Sequence, residues 1–441
     1  MNIEPPLQVA LVSLGCPKNL VDSEKMLADL AESVHVVGAP LAEADVIVVN
    51  TCCFVSSARE ESLEVISEAV EQKSSGRCRR VVVAGCLSTR EREKLFQLVP
   101  GVDAVLGVDD RDRIVSAVTG SERFAALAGA PAGPAVSDSG RFRLTPPHTA
   151  YLRVSEGCSH GCTFCTIPAI RGPFRSKRMA EVTTEARELV DSGAVELNVI
   201  GQDTTSFGRD LPEGENLPAL LRALNQIDGL AWIRLLYTYP RGFSDELVDT
   251  VAECDKVIPY VDMPLQHIST PVLKRMGRGI DRARTERVLT TMRERIPGLV
   301  LRTTFIVGFP GETDEQFQEL LEFVQEFRFE NMGAFAYSAE EGTPAADFQP
   351  QVPEEVKQDR LDQLMLAQQQ ISFAANERMT GRRLEVLIDG VDAEGICLGR
   401  YYGQAPAVDG ACLLAEPLEP GQMVTAEVAG SHEYDLVVQP M

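Results

Sequence analysis

The sequence contains no apolar run that approaches the roughly 18 residues needed to cross a membrane. Even residues 46–55 are interrupted by Asn50 and Thr51. The first ten residues also lack the charged and apolar regions of a secretory leader. Eleven cysteines, an odd number, then indicate a reducing compartment where cysteines bind metals rather than a disulfide framework. We therefore expect a soluble, cytoplasmic protein with no membrane partner.

Positive charge is also scarce. Lys and Arg together number 42 against 65 Asp and Glu, and the formal net charge is −23. Because phosphate contacts need Lys and Arg, this balance argues against an extended nucleic-acid-binding surface and favours a basic protein as partner. Solvated acidic faces that keep a chain soluble would give the same balance. Charge alone therefore does not decide between these interpretations.

What the first third of the chain does contain is an alternation of β-branched runs and helical patterns. The runs span residues 9–14, 45–49 and 81–83, and the helical stretches span residues 22–31, 58–72 and 90–98. This order is typical of a parallel sheet with crossover helices. We expect an N-terminal α/β domain over residues 7–120. Residues 121–147, rich in Gly, Ala, Pro and Ser, then predict a linker with little to bury.

Six candidate strands follow the linker, with helical stretches between them at residues 180–192, 245–252 and 312–327. The strands span residues 150–154, 195–200, 233–236, 260–263, 301–307 and 332–337. This pattern predicts an open or closed βα barrel over residues 148–375, a partial TIM-like architecture. In such barrels the chemistry lies at the carboxyl ends of the strands.

The last segment, residues 377–441, follows a polar helical stretch at residues 353–380. Its short β-like runs at residues 384–388, 424–428 and 436–438 are separated by Gly-rich turns and predict a small β-barrel. It holds eleven Asp and Glu against four Arg and no Lys. This module is therefore acidic in its own right.

Three cysteines lie within eight residues in Glu156-Gly-Cys-Ser-His-Gly-Cys-Thr-Phe-Cys, directly after the first strand of the predicted barrel. Cys158, Cys162 and Cys165 can share a 4Fe-4S cluster, and since such a cluster has four irons, a set of three thiolates leaves one iron open for reaction. A structural zinc knuckle is the alternative. Zinc sites usually complete a tetrahedron with a fourth ligand at a characteristic spacing, so we favour iron and sulfur.

A second set of cysteines comes from the N-terminal segment. Cys16, Cys52 and Cys86 each follow one of its three apolar runs. If these runs are parallel strands, all three cysteines reach the same carboxyl edge of the sheet, where α/β folds collect ligands. A lone cysteine is more often simply buried. Three at one topological position instead predict a second metal site.

The motifs Ser13-Leu-Gly-Cys-Pro-Lys-Asn, Val49-Asn-Thr-Cys and Ala84-Gly-Cys, together with the triplet, resemble the methylthiotransferases of the radical S-adenosylmethionine superfamily. The resemblance covers nearly the whole chain. It implies two 4Fe-4S clusters, with Cys16, Cys52 and Cys86 holding an auxiliary cluster and Cys158, Cys162 and Cys165 holding the catalytic one, which binds S-adenosylmethionine. It also implies a radical domain at residues 148–375 and a C-terminal TRAM barrel. Cys53 stands where relatives often have Gly.

Within that family, four motifs resemble the type that modifies an aspartate of the S-twelve protein of the small ribosomal subunit. They are Cys16-Pro-Lys-Asn-Leu-Val-Asp-Ser, Gly201-Gln-Asp-Thr-Thr-Ser, Met263-Pro-Leu-Gln-His and Phe305-Ile-Val-Gly-Phe-Pro-Gly-Glu-Thr. The acidic C-terminal module favours the same protein substrate, because ribosomal proteins are basic. A module that docks on transfer RNA would instead present Lys and Arg. We therefore expect no direct transfer-RNA binding. A transfer-RNA adenosine methylthiotransferase and a non-enzymatic metal or electron-transfer protein remain the alternatives.

The resemblance also implies a reaction. Two S-adenosylmethionine molecules serve one turnover: one methylates a sulfur at the auxiliary cluster, and the other yields the radical that takes a hydrogen from the aspartate β-carbon. A low-potential donor such as flavodoxin or ferredoxin supplies electrons, and the substrate is the free protein or the ribosome. The resemblance assigns cofactor binding to Gln202, Asp203, Gly308 and Gly311.

Other polar residues give weaker signals. Gly308 and Gly311 also fit a plain strand-to-helix turn. Arg171, Arg175, Lys177 and Arg178 could meet the cofactor or substrate carboxylate, but a solvated face is the more usual explanation for such a stretch. His160 and His267 have no evident partner in the sequence.

Overall fold

The structure is a computed structural model that describes residues 6–33, 35–129, 131–211 and 215–441. Its N-terminal part contains strands β1 (Gln8–Ser13), β2 (Val36–Val37), β3 (Val46–Thr51), β4 (Arg80–Gly85), β5 (Ala104–Leu106) and β6 (Phe124–Ala126). The helices are α1 (Pro17–Glu32), α2 (Ser56–Ser75), α3 (Cys86–Glu91), α4 (Leu95–Leu98) and α5 (Ile114–Thr119). The strands form one parallel sheet in the order β2-β1-β3-β4-β5-β6. The predicted parallel α/β fold is confirmed.

Both faces of this sheet are covered, which explains why its strands are apolar without alternation. In β3, Val46 and Val48 pack into one apolar cluster, while Ile47 and Val49 pack into another on the opposite face. Residues on alternate sides of a parallel strand bury against helices on both faces. The four side chains are fully or almost fully buried, and the sheet is a rigid base for the loops at its carboxyl edge.

Two details of this region differ from the sequence prediction. The helix expected at residues 90–98 begins already at Cys86, because Gly85 turns the chain with φ +93°, and it is interrupted near Arg92, which has φ +54°. The predicted linker, residues 121–147, begins with β6, which pairs with β5. A three-residue edge strand leaves little signal in composition. Ala130, within that linker, lies outside the described residues.

The central part contains the six predicted strands and two short additional ones. The strands are β7 (Thr149–Arg153), β8 (Ser155–Glu156), β9 (Arg175–Ser176), β10 (Glu196–Ile200), β11 (Trp232–Leu235), β12 (Val257–Asp262), β13 (Val300–Val307) and β14 (Asn331–Ala336). The helices are α6 (Ile167–Arg171), α7 (Met179–Asp191), α8 (Leu217–Leu224), α9 (Asp245–Glu253), α10 (Thr270–Arg275), α11 (Arg282–Arg295), α12 (Asp314–Phe327) and α13 (Glu354–Glu377). Residues 212–214 lie outside the described part.

The six long strands form one parallel sheet in the order β14-β13-β12-β11-β10-β7. Since β7 and β14 are its edges, the barrel is open, and the expected partial TIM-like architecture is confirmed. Helix α12 illustrates how the crossovers are anchored: Thr313 accepts from the Gln316 backbone N–H, and the Gln316 side chain accepts from the Thr313 N–H. Such a capping box stabilises a helix start.

The C-terminal part is a closed five-stranded barrel. Its strands are β15 (Arg383–Val391), β16 (Cys397–Tyr401), β17 (Cys412–Leu414), β18 (Met423–His432) and β19 (Asp435–Pro440), in the order β15-β16-β17-β19-β18. The predicted small β-barrel is confirmed, and β16 and β17 add to the three runs seen in the sequence. Short 3₁₀ helices complete the described elements at Leu41–Glu43, Arg92–Lys94, Val108–Arg113, Thr204–Ser206, Pro240–Gly242 and Pro344–Asp347.

Buried ion pairs attach the C-terminal barrel to the central sheet. Arg400 in β16 contacts Glu196 in β10 at 2.8 Å, and Arg234 in β11 contacts the same carboxylate at 3.0 Å. Burial raises the pKa of Glu196, but Arg400 and Arg234 outweigh burial and lower it overall. Asp389 completes the contact by pairing with Arg400 at 2.7 Å. The acidic module is therefore docked through one of its four arginines.

The N-terminal sheet contacts the other end of the central sheet. Glu340, which follows β14, accepts from the backbone N–H of Ser56 at 2.8 Å and pairs with Arg90 at 3.1 Å. Its side chain is 4% exposed.

None of the helices in the described ranges combines the length and the apolar character of a membrane span.

Candidate functional site

The three N-terminal cysteines lie together at the carboxyl edge of the first sheet. Cys16 immediately precedes α1, Cys52 follows β3, and Cys86 begins α3 directly after β4. These strands are neighbours and parallel. The loops of Cys16 and Cys52 approach each other closely: a Cβ added to Gly15 would lie 2.9 Å from the Cys52 Sγ. The sheet topology thus brings the predicted set together.

Asn19 ties these three loops to one another, a role that sequence reasoning missed. Its side-chain amide donates to the carbonyls of Leu14 at 3.0 Å and Thr51 at 2.7 Å, and its oxygen faces the Cys86 Sγ at 3.5 Å. Asn19 is fully buried. The sequence signal for this role is the position of Asn19, three residues after Cys16 in the motif Cys16-Pro-Lys-Asn.

The electrostatics of this set differ from one thiol to the next. Burial raises the pKa of Cys86 to about 12. Burial also raises the pKa of Cys16, but the charges of Lys18 and Arg171 outweigh it and lower that pKa overall. Metal ligation requires the thiolate, and two cations stand beside the set. The donor chemistry therefore fits an iron-sulfur cluster.

Cys53, the neighbour of Cys52, has a different environment. It is fully buried in an apolar cluster, and burial raises its pKa far above the ordinary value. Cys52 is half-buried and is the one whose sulfur faces the loop of Gly15. We keep Cys52 as the proposed ligand.

The second cysteine set occupies the loop after β7 and β8, at the carboxyl edge of the open barrel. Cys158, Cys162 and Cys165 are all half-buried. The loop is held by backbone bonds from Cys158 N–H to Gly172 at 3.1 Å and from Thr163 N–H to Met276 at 3.0 Å. Burial raises the pKa of Cys158 to about 11 and that of Cys165 to about 12.

Arg278 lies against this loop and was not singled out in the sequence. Its Nη1 donates to the Cys162 Sγ at 3.6 Å, and its Nη2 donates to the Pro264 carbonyl at 2.7 Å. The guanidinium carbon also lies 4.1 Å from the centre of the Tyr239 ring. Arg278 thus holds a guanidinium group against the Cys162 Sγ.

His160, inside the triplet, does have partners. Its ring stacks on Tyr239 with centroids 4.1 Å apart, and its Nε2 lies 2.6 Å from the Asp203 carboxylate. Burial raises the pKa of Asp203, but bonds from His160, Ser206 and Thr205 lower it overall. A cavity of about 340 Å³ opens beside these groups and is lined by Cys158, Phe174 and Arg241 among others.

The remaining predicted cofactor residues lie near the same strand ends. Gln202 donates to Glu156 at 3.1 Å, next to the loop of Cys158. Gly308 and Gly311 have φ +70° and +76°, and a Cβ on either would collide with Lys357 or Arg275. Their lack of a side chain is thus explained by packing. Contact of these residues with a cofactor remains a prediction.

His267, like His160, has partners that the sequence did not indicate. It is fully buried, its Nδ1 accepts from the Ser269 N–H at 2.9 Å, and its Nε2 lies 3.6 Å from Glu312. These partners belong to neighbouring loops of the barrel. The residue therefore has a structural explanation.

Buried ion pairs connect the two cysteine sets. Arg171 donates to Asn19 at 2.6 Å and Asp22 at 3.0 Å on the N-terminal side, and to both oxygens of Glu156 at 3.1 Å on the barrel side. Arg153 bridges the same two carboxylates at 2.7 and 2.8 Å. The contact extends from the loop of Cys16 to within two residues of Cys158.

The expectation of a solvated basic face is therefore wrong for three of its four residues. Arg171, Arg175 and Lys177 are buried, and only Arg178 is exposed. Lys177 pairs at 2.6 Å with Asp138, a residue of the predicted linker. Sequence reasoning could not find these partners, because each cation meets carboxylates that are distant along the chain.

Lys18 is a further buried cation at this junction. It is 7% exposed, and its Nζ lies 3.1 Å from the centre of the Tyr237 ring at the end of β11. Burial lowers the pKa of Lys18 to about 8. The side chain thus reaches from the loop of Cys16 to the carboxyl edge of the open barrel.

Within the described ranges, no three His, Cys, Asp or Glu side chains converge closely enough to hold a single metal ion. The thiolates of a four-iron cluster each bind a different iron and need not converge in that way. By their donor chemistry, both three-cysteine sets fit such clusters.

Comparison with protein families divides the chain in the same way as the structure. The model described as the radical SAM superfamily matches residues 152–324, that of the uncharacterized protein family UPF0004 matches residues 8–107, and that of the TRAM domain matches residues 380–440. The open barrel, the N-terminal sheet and the closed barrel each correspond to one of these models.

The chain is similar to curated proteins over nearly its full length. It is 46% identical to the ribosomal protein uS12 methylthiotransferase RimO of Anaeromyxobacter sp. (strain K) over 98% of this chain and 92% of the relative. It is 45% identical to the protein of the same name from Geobacter sulfurreducens, over 98% of both chains.

Solved structures share the fold at lower identity. The radical S-adenosylmethionine methyltransferase TsrM from Kitasatospora setae, with cobalamin and a 4Fe-4S cluster bound, has a TM-score of 0.55 at 16% identity over 77% of each chain. The cobalamin-dependent radical enzyme OxsB has a TM-score of 0.52 at 13% identity over 82% of this chain and 56% of its own.

Proposed function

The chain belongs to the RimO family of ribosomal protein uS12 methylthiotransferases, and we propose that it attaches a methylthio group to the β-carbon of an aspartate in that ribosomal protein. It is a radical S-adenosylmethionine enzyme that uses two 4Fe-4S clusters. The observation that carries the proposal is the placement of two three-cysteine sets at the carboxyl edges of two parallel sheets, joined by Arg171.

Each set has a separate task. Cys158, Cys162 and Cys165 hold the cluster that binds S-adenosylmethionine, and Cys16, Cys52 and Cys86 hold the auxiliary cluster. When bound, S-adenosylmethionine and the catalytic cluster would supply hydrogen abstraction from carbon, and the auxiliary cluster would hold the sulfur to be transferred. The β-carbon of aspartate has no acidity that a side-chain base could use at neutral pH, which is why this chemistry needs such cofactors.

The chain's own residues orient these groups. The cavity beside Cys158 is large enough for part of a nucleoside-sized ligand, and its polar groups, Asp203 and Arg241, are those expected to fix orientation. His160, stacked on Tyr239, shapes one side of it. We assign this cavity to S-adenosylmethionine, and contact of Gln202, Gly308 and Gly311 with the cofactor is part of the same proposal.

Charge and surface chemistry support a basic protein as the partner. The chain carries a net charge of −23, and its C-terminal barrel holds four Arg and no Lys. Opposite charge accelerates association with a basic protein and disfavours a polyanion such as transfer RNA. The enzyme would act in the cytoplasm, on uS12 alone or in the ribosome, with flavodoxin or ferredoxin as electron donor.

The proposal is tested with anaerobically reconstituted protein, uS12 and a reductant. Cys162→Ala should abolish S-adenosylmethionine cleavage, because the catalytic cluster loses a ligand. Cys86→Ala should still cleave the cofactor but should transfer no methylthio group. Formation of deoxyadenosine by Cys162→Ala at the wild-type rate would contradict the assignment. Modification of transfer RNA in place of uS12 would contradict the substrate.

A further inference from the structure

Lys18 is a buried ammonium group without a carboxylate partner among the described residues. The residue is 7% exposed, and its Nζ lies over the face of the Tyr237 ring, 3.1 Å from the centre. No described carboxylate lies within ion-pair distance of its Nζ. Burying a charge without a partner is costly, and a cation–π contact offsets only part of that cost.

The other cations at this junction already have partners. Arg171 and Arg153 bind Asp22 and Glu156. Arg302, beside Tyr237, binds Asp262 at 3.0 Å. The carboxylates that influence Lys18 from a distance are therefore neutralised by arginines. Lys18 is left without a carboxylate of its own, and its charge favours the thiolate of Cys16.

The position of Lys18 is between the two cysteine sets. It is the second residue of α1 and lies two residues after Cys16. Tyr237, which it contacts, follows β11, at the same carboxyl edge of the open barrel as the loop of Cys158. A group bound at the ammonium would therefore lie at the junction of the two proposed cluster sites.

Tyr237 is held in a conformation that is rare for a residue with a side chain. Its φ is +59°. The conformation is fixed by a bond from its N–H to Asp262 at 3.0 Å and by a bond from the Thr204 N–H to its carbonyl at 3.0 Å. Such strained residues concentrate at functional sites. This one presents its ring to Lys18.

From these observations we propose that Lys18 binds the side-chain carboxylate of the substrate aspartate and so positions its β-carbon between the two cysteine sets. The inference rests on the proposed function and names a substrate-positioning residue for it. The carboxylate is attached directly to the β-carbon, so holding it fixes the reacting carbon within one bond. A site built around a buried cation that has no carboxylate partner would also reject an asparagine, which has the same shape without the charge.

The test compares binding of two substrates to cluster-loaded enzyme: uS12 and uS12 in which the target aspartate is replaced by asparagine. Wild-type enzyme should bind the aspartate form about 10- to 100-fold more tightly, the range for a charge-assisted bond. Lys18→Met and Lys18→Gln should bind both forms alike. Lys25→Met is the matched control, because Lys25 lies on the same helix but is paired with Asp29 at 2.9 Å, and it should retain the wild-type preference.

Two outcomes would overturn the inference, and they are distinguishable. If wild-type enzyme modifies uS12 while Lys18→Met and Lys18→Gln keep the full preference for aspartate, Lys18 does not bind the carboxylate and the proposed function survives. If wild-type enzyme does not modify uS12 at all, the proposed function fails and this inference fails with it. The ratio of the two affinities is insensitive to a general loss of folded protein, because both substrates meet the same preparation.

Discussion

Arg171→Met removes the side chain that joins the two cysteine sets. The change keeps an unbranched apolar stem and deletes the guanidinium group with its charge. It breaks buried bonds to Asn19 at 2.6 Å and to Asp22 at 3.0 Å, and a partly buried bond to Glu156 at 3.1 Å. The carboxylates of Asp22 and Glu156 would then keep Arg153 but lose Arg171.

The expected magnitude follows from the cost of a buried charge that loses its partner, about 3–5 kcal/mol. Arg153 remains within 2.7 Å of Asp22 and 2.8 Å of Glu156. The cost should therefore fall at the lower end, about 3 kcal/mol, which corresponds to roughly a 100-fold change in the equilibrium for separating the two sheets.

Amide hydrogen exchange of the cluster-loaded protein measures this equilibrium locally. Protection should fall by roughly 100-fold in helices α1 and α6, which carry Asp22 and Arg171. Arg222→Met is the control: Arg222 pairs with Glu246 on the surface, where the two side chains are 46% and 52% exposed, and such pairs contribute about 0.2–1 kcal/mol. Unchanged protection of α1 and α6 in Arg171→Met would refute this account of the junction.

Two further predictions concern the loop of Cys162 and the docking of the C-terminal barrel. A Cβ on Gly277 would collide with the Gly161 carbonyl, so Gly277→Ala should lower the iron content of the catalytic cluster. Gly381→Ala is the control, because Gly381 also has a positive φ but has nothing within 4 Å of an added Cβ. Iron analysis of the purified variants measures the difference. Arg400→Met should weaken barrel docking by about 3 kcal/mol, seen as faster exchange in β16. Because Arg400 and Arg234 lower the folded pKa of Glu196, docking should be strongest above the ordinary Glu value near pH 4.3 and weaken as pH falls below it. In Arg400→Met the folded pKa lies closer to the ordinary value, so this loss should be smaller.

The sequence predicted the positions of the cysteines well because their placement depends on topology. Once β1, β3 and β4 are parallel neighbours, residues that follow them must meet at one edge. The same reasoning placed Cys158 at the barrel edge. The strands of the open barrel could be found for a similar reason, since each is a run of apolar residues bounded by helical patterns.

The partners of the buried cations could not be predicted, because nothing local distinguishes them. Arg171 looks like any solvated arginine in sequence, yet it meets Asn19, which is distant along the chain and carries no charge pattern of its own. Strand β6 was not predicted, because a three-residue strand that pairs on one side only leaves too short a pattern in the sequence. Long-range pairing of polar side chains is set by how the sheets pack, which periodicity does not describe.

Mass spectrometry of uS12 tests the central claim most directly. The protein would be isolated from a bacterium that lacks its own RimO and produces this chain. We predict that the target aspartate gains one methylthio group in place of a hydrogen with the wild-type chain, and gains none with Cys86→Ala or Cys162→Ala. An unmodified uS12 in cells that produce the cluster-loaded wild-type chain would contradict the account.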